Sequence, residues 1–534
     1  MAEDGPFLAK ALALLREGPD PGAARWLSSR SRQGRKVSQA ASEDGGIVLI
    51  VDGISQDSRR QPEKDALALL SGLPGRMGRA FLYGLGSPAL CKALLERTNE
   101  LFALEPSPEV ARAFFSSVDL SGPLADGSLR LFTPWGLQKP LGLPSRPELV
   151  AHRGTLRRDP WMYEALKARL AECGRGPKGR PGPSGPGILI VPPLSGGPAS
   201  MGGFLEKAAL GLGLRARLLS WPAALPLREA ALRGAGGPPE GLTGLFRDCL
   251  GFLAKEAAAF SPGLVLALAQ APLDPPGVAR LRDMLPDAIL AFWFVEDMSV
   301  FRYAEGLVPL YDLFLHIQGD FLAPRLCDLG ALGAHYLPPC ADPGFFRPRE
   351  VPERFRARLS FMGAGYPNRL GIFGELASRW GGSGRPASDF KVFGSGWQGA
   401  SPELAGHLFE GGRRLTPEET ALVYAGRGVQ LNIHSGRGEG YNPGSWFVNP
   451  RTFEIAAAGG FQIVDRRPLL QGLFGEGELA VSDSPEGLPA LIERFLGDPG
   501  EAGARGAKAR QRVLEAHTYE HRLETILSLA FPKR

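Results

Sequence analysis

The stretch Gly428–Asp465, GVQLNIHSGRGEGYNPGSWFVNPRTFEIAAAGGFQIVD, decides the fold. Val429-Gln430-Leu431-Asn432-Ile433 is a short apolar run with two β-branched residues, the pattern of a strand buried on both faces of a parallel sheet. A polar loop follows, with glycines at 436, 438, 440 and 444 and the pair Asn442-Pro443. Asn449-Pro450 then starts a helix, because Asn caps the first turn and Pro fits its first position. The helix runs Arg451 to Ala458 and stops at Gly459-Gly460. Phe461 to Val464 is the next strand, with Asp465 at its carboxyl end. Open α/β sheets bind ligands outside the carboxyl ends of their strands, so loop, helix start and Asp465 all face one crevice.

A helix N-terminus in such a crevice offers N–H groups and a positive dipole end to a phosphate. Arg451 and Glu454 are three apart and share a helix face, one suited to a phosphate oxygen and the other to ribose hydroxyls. An isolated Arg-x-x-Glu is more often a solvated surface pair; the loop, cap and glycine pair around this one favour a site. Taken together, Leu431-Asn432-Ile433-His434, Arg451-Thr452-Phe453-Glu454, Gly459-Gly460-Phe461 and Asp465 resemble the carboxyl-terminal domain of the CgeB-like glycosyltransferases, relatives of the nucleotide-sugar transferases of GT-B fold. The resemblance implies that Glu454 binds the nucleotide ribose. It implies a donor site also containing Arg451, Asn432, Asn449, Gly459 and Gly460, with His434 a catalytic candidate. Many members of the wider group carry a second glutamate eight residues earlier; here that position is Trp446, and Glu439 substitutes only if the loop folds back.

The chain has 534 residues, enough for about three domains at roughly 150 residues each. At 44% hydrophobic and 22% charged it is globular in composition. A net charge of +5, spread along the chain without a basic stripe, permits anionic small ligands and argues against nucleic acid. Five cysteines without C-x-x-C spacing read as reduced thiols of a cytoplasmic protein. The amino terminus lacks the order of a signal peptide, no apolar run is long enough to span a membrane, and no acid or histidine cluster has metal-ligand spacing.

Residues 1–45 read as a helical lead-in (Phe7 to Arg16) followed by a polar, basic segment. Residues 46–173 read as a Rossmann-like domain. Within it Gly46 to Asp52 is a strand. Arg79 to Tyr83 leads through Gly84-Leu85-Gly86 into a helix, and the strand Glu100 to Leu104 ends at Glu105. That outline matches half of a nucleotide-binding fold. It resembles the first half of class I methyltransferases and the Rossmann-like domain of Maf-type flagellin-modifying proteins, in which Glu105 would hold ribose hydroxyls. The third glycine is absent, which favours a degenerate, structural domain. Residues 174–187, Gly/Pro-rich with no apolar side chain, form a linker.

From Ile188 strands and helices alternate, which predicts a parallel sheet covered on both faces and an amino-terminal GT-B domain over 188–345. Gly196, Gly197, Gly202 and Gly203 precede a helix from Phe204 and read either as a cleft-lining loop or as a plain strand-to-helix turn. Ala291 to Val295 is a strand ending in Glu296-Asp297, which resembles the Trp-x-x-Asp-Asp element of CgeB-like proteins. These two acids read equally as acceptor-binding or base residues and as a helix cap. His316 lies mid-strand as a core histidine. Tyr336 to Pro348, rich in proline, resembles the interdomain crossover of the group. The carboxyl-terminal domain, 346–534, opens with Leu359 to Gly363 and then Arg369; the resemblance assigns Gly363 and Arg369 to the donor diphosphate. His517-Thr518-Tyr519 and Arg522 read as packing for the last helix.

The expectation is an α/β protein of GT-B architecture preceded by an additional Rossmann-like α/β domain. It would act as a hexosyltransferase-like, metal-independent enzyme using a nucleotide-diphosphate sugar as donor and no cofactor, with a glycan or protein acceptor. A nucleotide- or glycan-binding transferase relic is the alternative, and a methyltransferase working through Glu105 is a third reading.

Overall fold

The computed structural model describes residues 6–18, 21–29, 34–173, 187–196, 199–234, 239–441 and 446–532. The linker read over 174–187, apart from Gly187, lies outside these residues, as do Gly197, Asn442, Pro443 and Gly444.

The first sheet is a small antiparallel meander of β1 (Val37–Ala41), β2 (Ile47–Val51) and β3 (Ile54–Ser55). The strand expected to open the Rossmann-like sheet is therefore a hairpin strand, and a boundary at residue 45 falls inside its turn. The reason is local: Gly45, Asp52 and Gly53 all have positive φ, so the chain reverses at both ends of β2 and leaves no room for a parallel crossover. Nor is the lead-in separate. Leu8, Ala11, Trp26 and Leu27, on helices Pro6–Glu17 and Pro21–Leu27, are buried in the same core as Leu82 and Leu101.

The second sheet holds β4 (Met77–Tyr83), β5 (Thr98–Leu104), β6 (Leu129–Phe132) and β7 (Glu148–Ala151), all parallel, in the order β6-β5-β4-β7. This amino-terminal domain is docked onto the next one. Trp135 Nε1 donates to Asp328 Oδ1 at 3.0 Å, and Arg169 donates to the Leu332 carbonyl at 2.6 Å.

The third sheet comprises β8 (Ile188–Val191), β9 (Ala216–Leu218), β10 (Leu264–Leu268), β11 (Ile289–Phe294), β12 (Leu313–His316) and β13 (Ala334–Tyr336), parallel, in the order β13-β12-β11-β10-β8-β9. Every residue of β8, β10, β11 and β12 is buried, as continuous apolar runs between two helical layers require. Helix Ala199–Gly211 begins five residues before the Phe204 expected from sequence, so Gly202 and Gly203 are helical. Gly202 permits close packing there, since a Cβ would lie 2.6 Å from Leu218 Cδ1.

The fourth sheet comprises β14 (Leu359–Met362), β15 (Phe390–Phe393), β16 (Val429–Asn432), β17 (Phe461–Asp465) and β18 (Ala480–Ser482), parallel, in the order β15-β14-β16-β17-β18. The crossover between the two larger sheets is pinned at both ends. Asp342 accepts from Lys207 Nζ at 2.8 and 2.9 Å, and Arg522 donates to the carbonyls of Pro338 and Pro339. Helix Tyr519–Ala530, grouped with the last domain from sequence, returns to the third sheet, where Tyr519, Leu523, Ile526 and Ala530 join its core. Two parallel α/β domains facing each other across a cleft, behind a further α/β domain, constitute a GT-B architecture.

Candidate active site

The cleft encloses a cavity of about 460 Å³ at the carboxyl ends of β10, β11, β14 and β16. One wall comes from the third-sheet domain: Met201, Gln270, Glu296, Val300 and Phe301. The other comes from the fourth-sheet domain: Tyr366, Arg369, Arg437, Asn449, Arg451 and Glu454.

Helix Pro450–Ala457 delivers the second wall. Asn449 caps it through its side-chain oxygen, which accepts from the Thr452 N–H at 3.0 Å. Asn432, fully buried at the end of β16, sits behind this cap. Its amide donates to Thr452 Oγ1 and Gln462 Oε1, while its oxygen accepts from Asn449 Nδ2 at 2.9 Å and Arg451 at 3.3 Å. Asn432 thus fixes the residues that face the cavity rather than facing it.

His434 is equally hidden, with no exposed surface. Its Nδ1 lies 2.6 Å from Asp465 Oδ1, and its Nε2 accepts from the Asn449 N–H at 3.0 Å. Burial pushes the imidazole down to about 4 against the pull of Asp465, so it is neutral, with Nδ1–H donating to the carboxylate. With both nitrogens committed, His434 braces the helix start and does not line the cavity, unlike a catalytic candidate. Asp465 also pairs with the buried Arg467.

Two guanidinium groups approach the Phe361 ring, Arg369 at 5.1 Å and Arg451 at 5.0 Å from its centroid. Arg369 is 4% exposed and spends its donors on the main chain, two on the Ile433 carbonyl and one on the Ala364 carbonyl. Burial, and then the neighbouring Arg451 charge, hold its pKa well below the usual guanidinium value. It contributes positive potential and holds the loop after β16; only part of its surface reaches the cavity. Arg451 differs: its Nε is buried and has no hydrogen-bond acceptor among the described residues. Gly363 lies beneath this group, where a Cβ would stand 2.7 Å from Arg451 NH2. That glycine admits the arginine and is not itself a lining residue.

One turn further along the helix, Glu454 opens onto the same cavity. Burial pushes its carboxyl up to about 7, with Arg451 opposing the shift. Gly459 and Gly460 lie at the other end of the helix, against Pro348 and Tyr424, and do not reach the cavity; the glycine pair serves the helix stop and the close approach to β16. At the position of the second glutamate, Trp446 packs in a tilted arrangement on Phe321 of the opposite domain, with ring centroids 4.8 Å apart. Glu439 is exposed and is not part of the cavity wall.

Across the cavity the two neighbouring acids diverge. Asp297 is 6% exposed and accepts from the Ser299 N–H and hydroxyl and from Gln318, so it shapes the turn after β11. Glu296 faces the cavity, held by Gln270 Nε2 and by Tyr303 Oη at 2.8 Å. Sequence reasoning passed over Gln270, Tyr303, Tyr424 and Arg437. Arg437 lies in the loop after β16 and Tyr424 ends helix Pro417–Tyr424, and with Gln270 and Tyr303 they meet the site only through the packing of separate elements.

The amino-terminal crevice is filled by its own chain. Glu105 is fully buried and accepts from the Leu85 and Ser107 N–H groups and from Arg158 at 3.1 Å. A Cβ on Gly84 would lie 2.4 Å from Thr155 Oγ1, and one on Gly86 2.3 Å from the His152 ring. The glycines approach these side chains where a nucleotide would otherwise lie, so the turn is structural.

Among the described residues no group of three His, Cys, Asp or Glu is placed to hold a metal ion, and no helix is long and apolar enough to cross a membrane. All five cysteines are free.

Residues 372–528, in the carboxyl-terminal part of the chain, match a family model described as glycosyl transferase-like. No curated protein matches the chain. Among solved structures, HepE from Anabaena in complex with UDP and glucose is 12% identical, covering 64% of this chain and 99% of its own at a TM-score of 0.42. SnogD from Streptomyces nogalater, a glycosyltransferase, is 17% identical, with 64% and 99% covered at a TM-score of 0.34. The apo form of OtsA is 11% identical, with 65% and 100% covered at 0.45.

Proposed function

We propose that this protein transfers a sugar from a nucleotide-diphosphate donor to an acceptor hydroxyl in the cavity between its two GT-B domains. One observation carries the reading. Two guanidinium groups approach a single phenylalanine ring, and Arg451 keeps a buried Nε–H with no acceptor among the described residues. Like charges held together in a cavity beside a helix N-terminus are stabilised by an anion, and a diphosphate supplies one.

Glu454, one turn along, would take the ribose hydroxyls in this reading. When the bond from the sugar to the diphosphate breaks, negative charge grows on the leaving oxygens beside Arg451 and the helix start. Fixed positive groups aimed at that charge lower the barrier. Because side chains provide this charge, we read the reaction as metal-independent. Kinship with CgeB-like enzymes, a hexosyl donor, a glycan or protein acceptor and a cytoplasmic site of action belong to the same proposal. The Maf-like kinship of the amino-terminal domain does too, as a structural relation, since its crevice is filled.

Calorimetry with UDP, GDP and dTDP and their sugars, on wild type and Glu454→Ala, tests the reading. It predicts binding of one nucleotide that is lost in the variant. A folded protein that binds none of them would refute it. A protein that binds a donor but never hydrolyses or transfers its sugar would be the binding-only relic.

A further inference from the structure

Glu296 lies on the wall opposite the two arginines, and its hydrogen bonds form a closed pattern. Gln270 follows β10 with φ of +63°, a left-handed backbone in a residue that is not glycine. That conformation turns its side chain toward Glu296 Oε1, while its main-chain N–H donates to Tyr303 Oη at 2.8 Å. Tyr303 accepts from Gln270, so its own hydrogen goes to Glu296 Oε2, 2.8 Å away. Each carboxylate oxygen thus receives one donor and keeps a lone pair for another.

The turn that carries Tyr303, Arg302–Gly306, is fixed from several sides. Tyr303 packs edge-on to Phe294 at 6.0 Å, Glu305 pairs with Arg325, and Gly306 lies against Trp161 of the amino-terminal domain. Of the three acids lining the cavity, Asp297 is turned to Ser299 and Gln318, and Glu454 shares the helix of Arg451. Among the described residues Glu296 alone faces the donor site from the opposite domain.

We propose that Tyr303 and Gln270 are positioning residues that hold the Glu296 carboxylate toward the acceptor hydroxyl, whose proton it takes. This rests on the donor reading above. In the step, the acceptor oxygen bonds to the anomeric carbon and the bond from that carbon to the diphosphate oxygen breaks. The bonding pair leaves with the diphosphate, and the acceptor proton passes to Glu296. Burial raises the Glu296 carboxyl above the ordinary carboxylate range, while the Gln270 and Tyr303 hydrogen bonds draw it back. Tyr303 is the titratable group in contact; Arg369, Arg437, Arg451 and Glu454 line the same cavity, with Asp297 beside it in the chain.

The test uses the full chain in excess over UDP-glucose, GDP-mannose or dTDP-glucose, with water in place of the acceptor, and follows sugar release by NMR across pH. Calorimetry comes first: absence of nucleotide binding would refute the donor reading and is a separate result. With binding established, release by wild type rises with pH and levels off. Glu296→Gln lowers the plateau by about 100-fold or more at unchanged nucleotide affinity. Tyr303→Phe removes a donor to the anion, so the rise moves to higher pH by about one unit. Gln270→Ala moves it the same way. Tyr303→Phe is close to isosteric, and a purely structural loss would lower the rate without moving the profile. Wild-type release no faster than that of Glu296→Gln, a null rate included, or an unmoved profile in Tyr303→Phe, would overturn the proposal.

Discussion

Replacing Glu454 by Gln removes the one carboxylate that the described residues place on the proposed donor wall, with consequences for stability and for binding that carry opposite signs. Burial raises this carboxyl from its ordinary 4.5 to about 7 in the folded protein. The folded state therefore binds the proton more tightly than the unfolded state. That preference stabilises the fold fully below about pH 4.5 and is lost as pH rises through about 7. At about 1.4 kcal/mol per pH unit, ionising Glu454 costs the ligand-free protein about 3 kcal/mol at pH 8. Gln matches the protonated acid in shape, so Glu454→Gln is expected to equal wild type near pH 4.5 and exceed its stability by up to about 3 kcal/mol at pH 8. Denaturant unfolding at the two pH values measures the difference.

Binding runs the other way. In the proposed donor site ribose hydroxyls donate to the ionised carboxylate, so wild-type affinity for the nucleotide diphosphate is expected to fall up to about tenfold per pH unit below about 7. The Gln amide oxygen still accepts one of the two hydrogen bonds, and losing the other, charge-assisted one at about 1.5–3 kcal/mol sets the loss in Glu454→Gln at about 10- to 150-fold at pH 8, with a flat pH dependence. Wild-type affinity that does not change between pH 5.5 and 8, or a variant with unaltered affinity and unaltered stability difference, would refute the assignment of Glu454.

Arg451→Ala is expected to weaken nucleotide diphosphate binding by about 50-fold or more while sparing the nucleoside, because the proposal assigns the buried Nε–H and its charge to the phosphates; calorimetry with both ligands checks this. Arg158→Ala leaves the fully buried Glu105 without its guanidinium partner and should cost about 3–5 kcal/mol in chemical denaturation, with nucleotide affinity unchanged. Gly394→Ala forces a side chain into φ of +107° and within 2.5 Å of the Gly363 carbonyl, and should lower stability by about 2 kcal/mol or more in the same assay.

The carboxyl-terminal domain was legible because its signals are local. Apolar runs marked β14, β16 and β17, Asn449-Pro450 marked the helix start, and Gly459-Gly460 marked its end. Glu454 and Arg451 reach the cavity because they share one helix face, a relation that residue spacing alone conveys. What depends on distant residues was not legible. The filling of the Gly84-Leu85-Gly86 turn comes from His152 and Thr155, more than sixty residues later, which no glycine pattern records. Arg369 follows a glycine turn as a diphosphate ligand would, yet the Ile433 and Ala364 carbonyls claim its donors. His434 sits in a family motif, but the motif does not reveal that Asp465 and the Asn449 N–H take both ring nitrogens. Strand β2 carries the apolar run of a Rossmann strand, and only the positive-φ turns on either side make it a hairpin. Tyr303 and Gln270 bear no sequence signature, since their relation to Glu296 exists only where three loops converge.

The most direct test of the donor site is a crystal structure of the chain soaked with the nucleotide diphosphate that binds best. The account predicts phosphate oxygens within hydrogen-bond distance of Arg451 Nε and the start of helix Pro450–Ala457, with the ribose hydroxyls on Glu454. A nucleotide bound elsewhere, with Arg451 and Glu454 untouched, would contradict it.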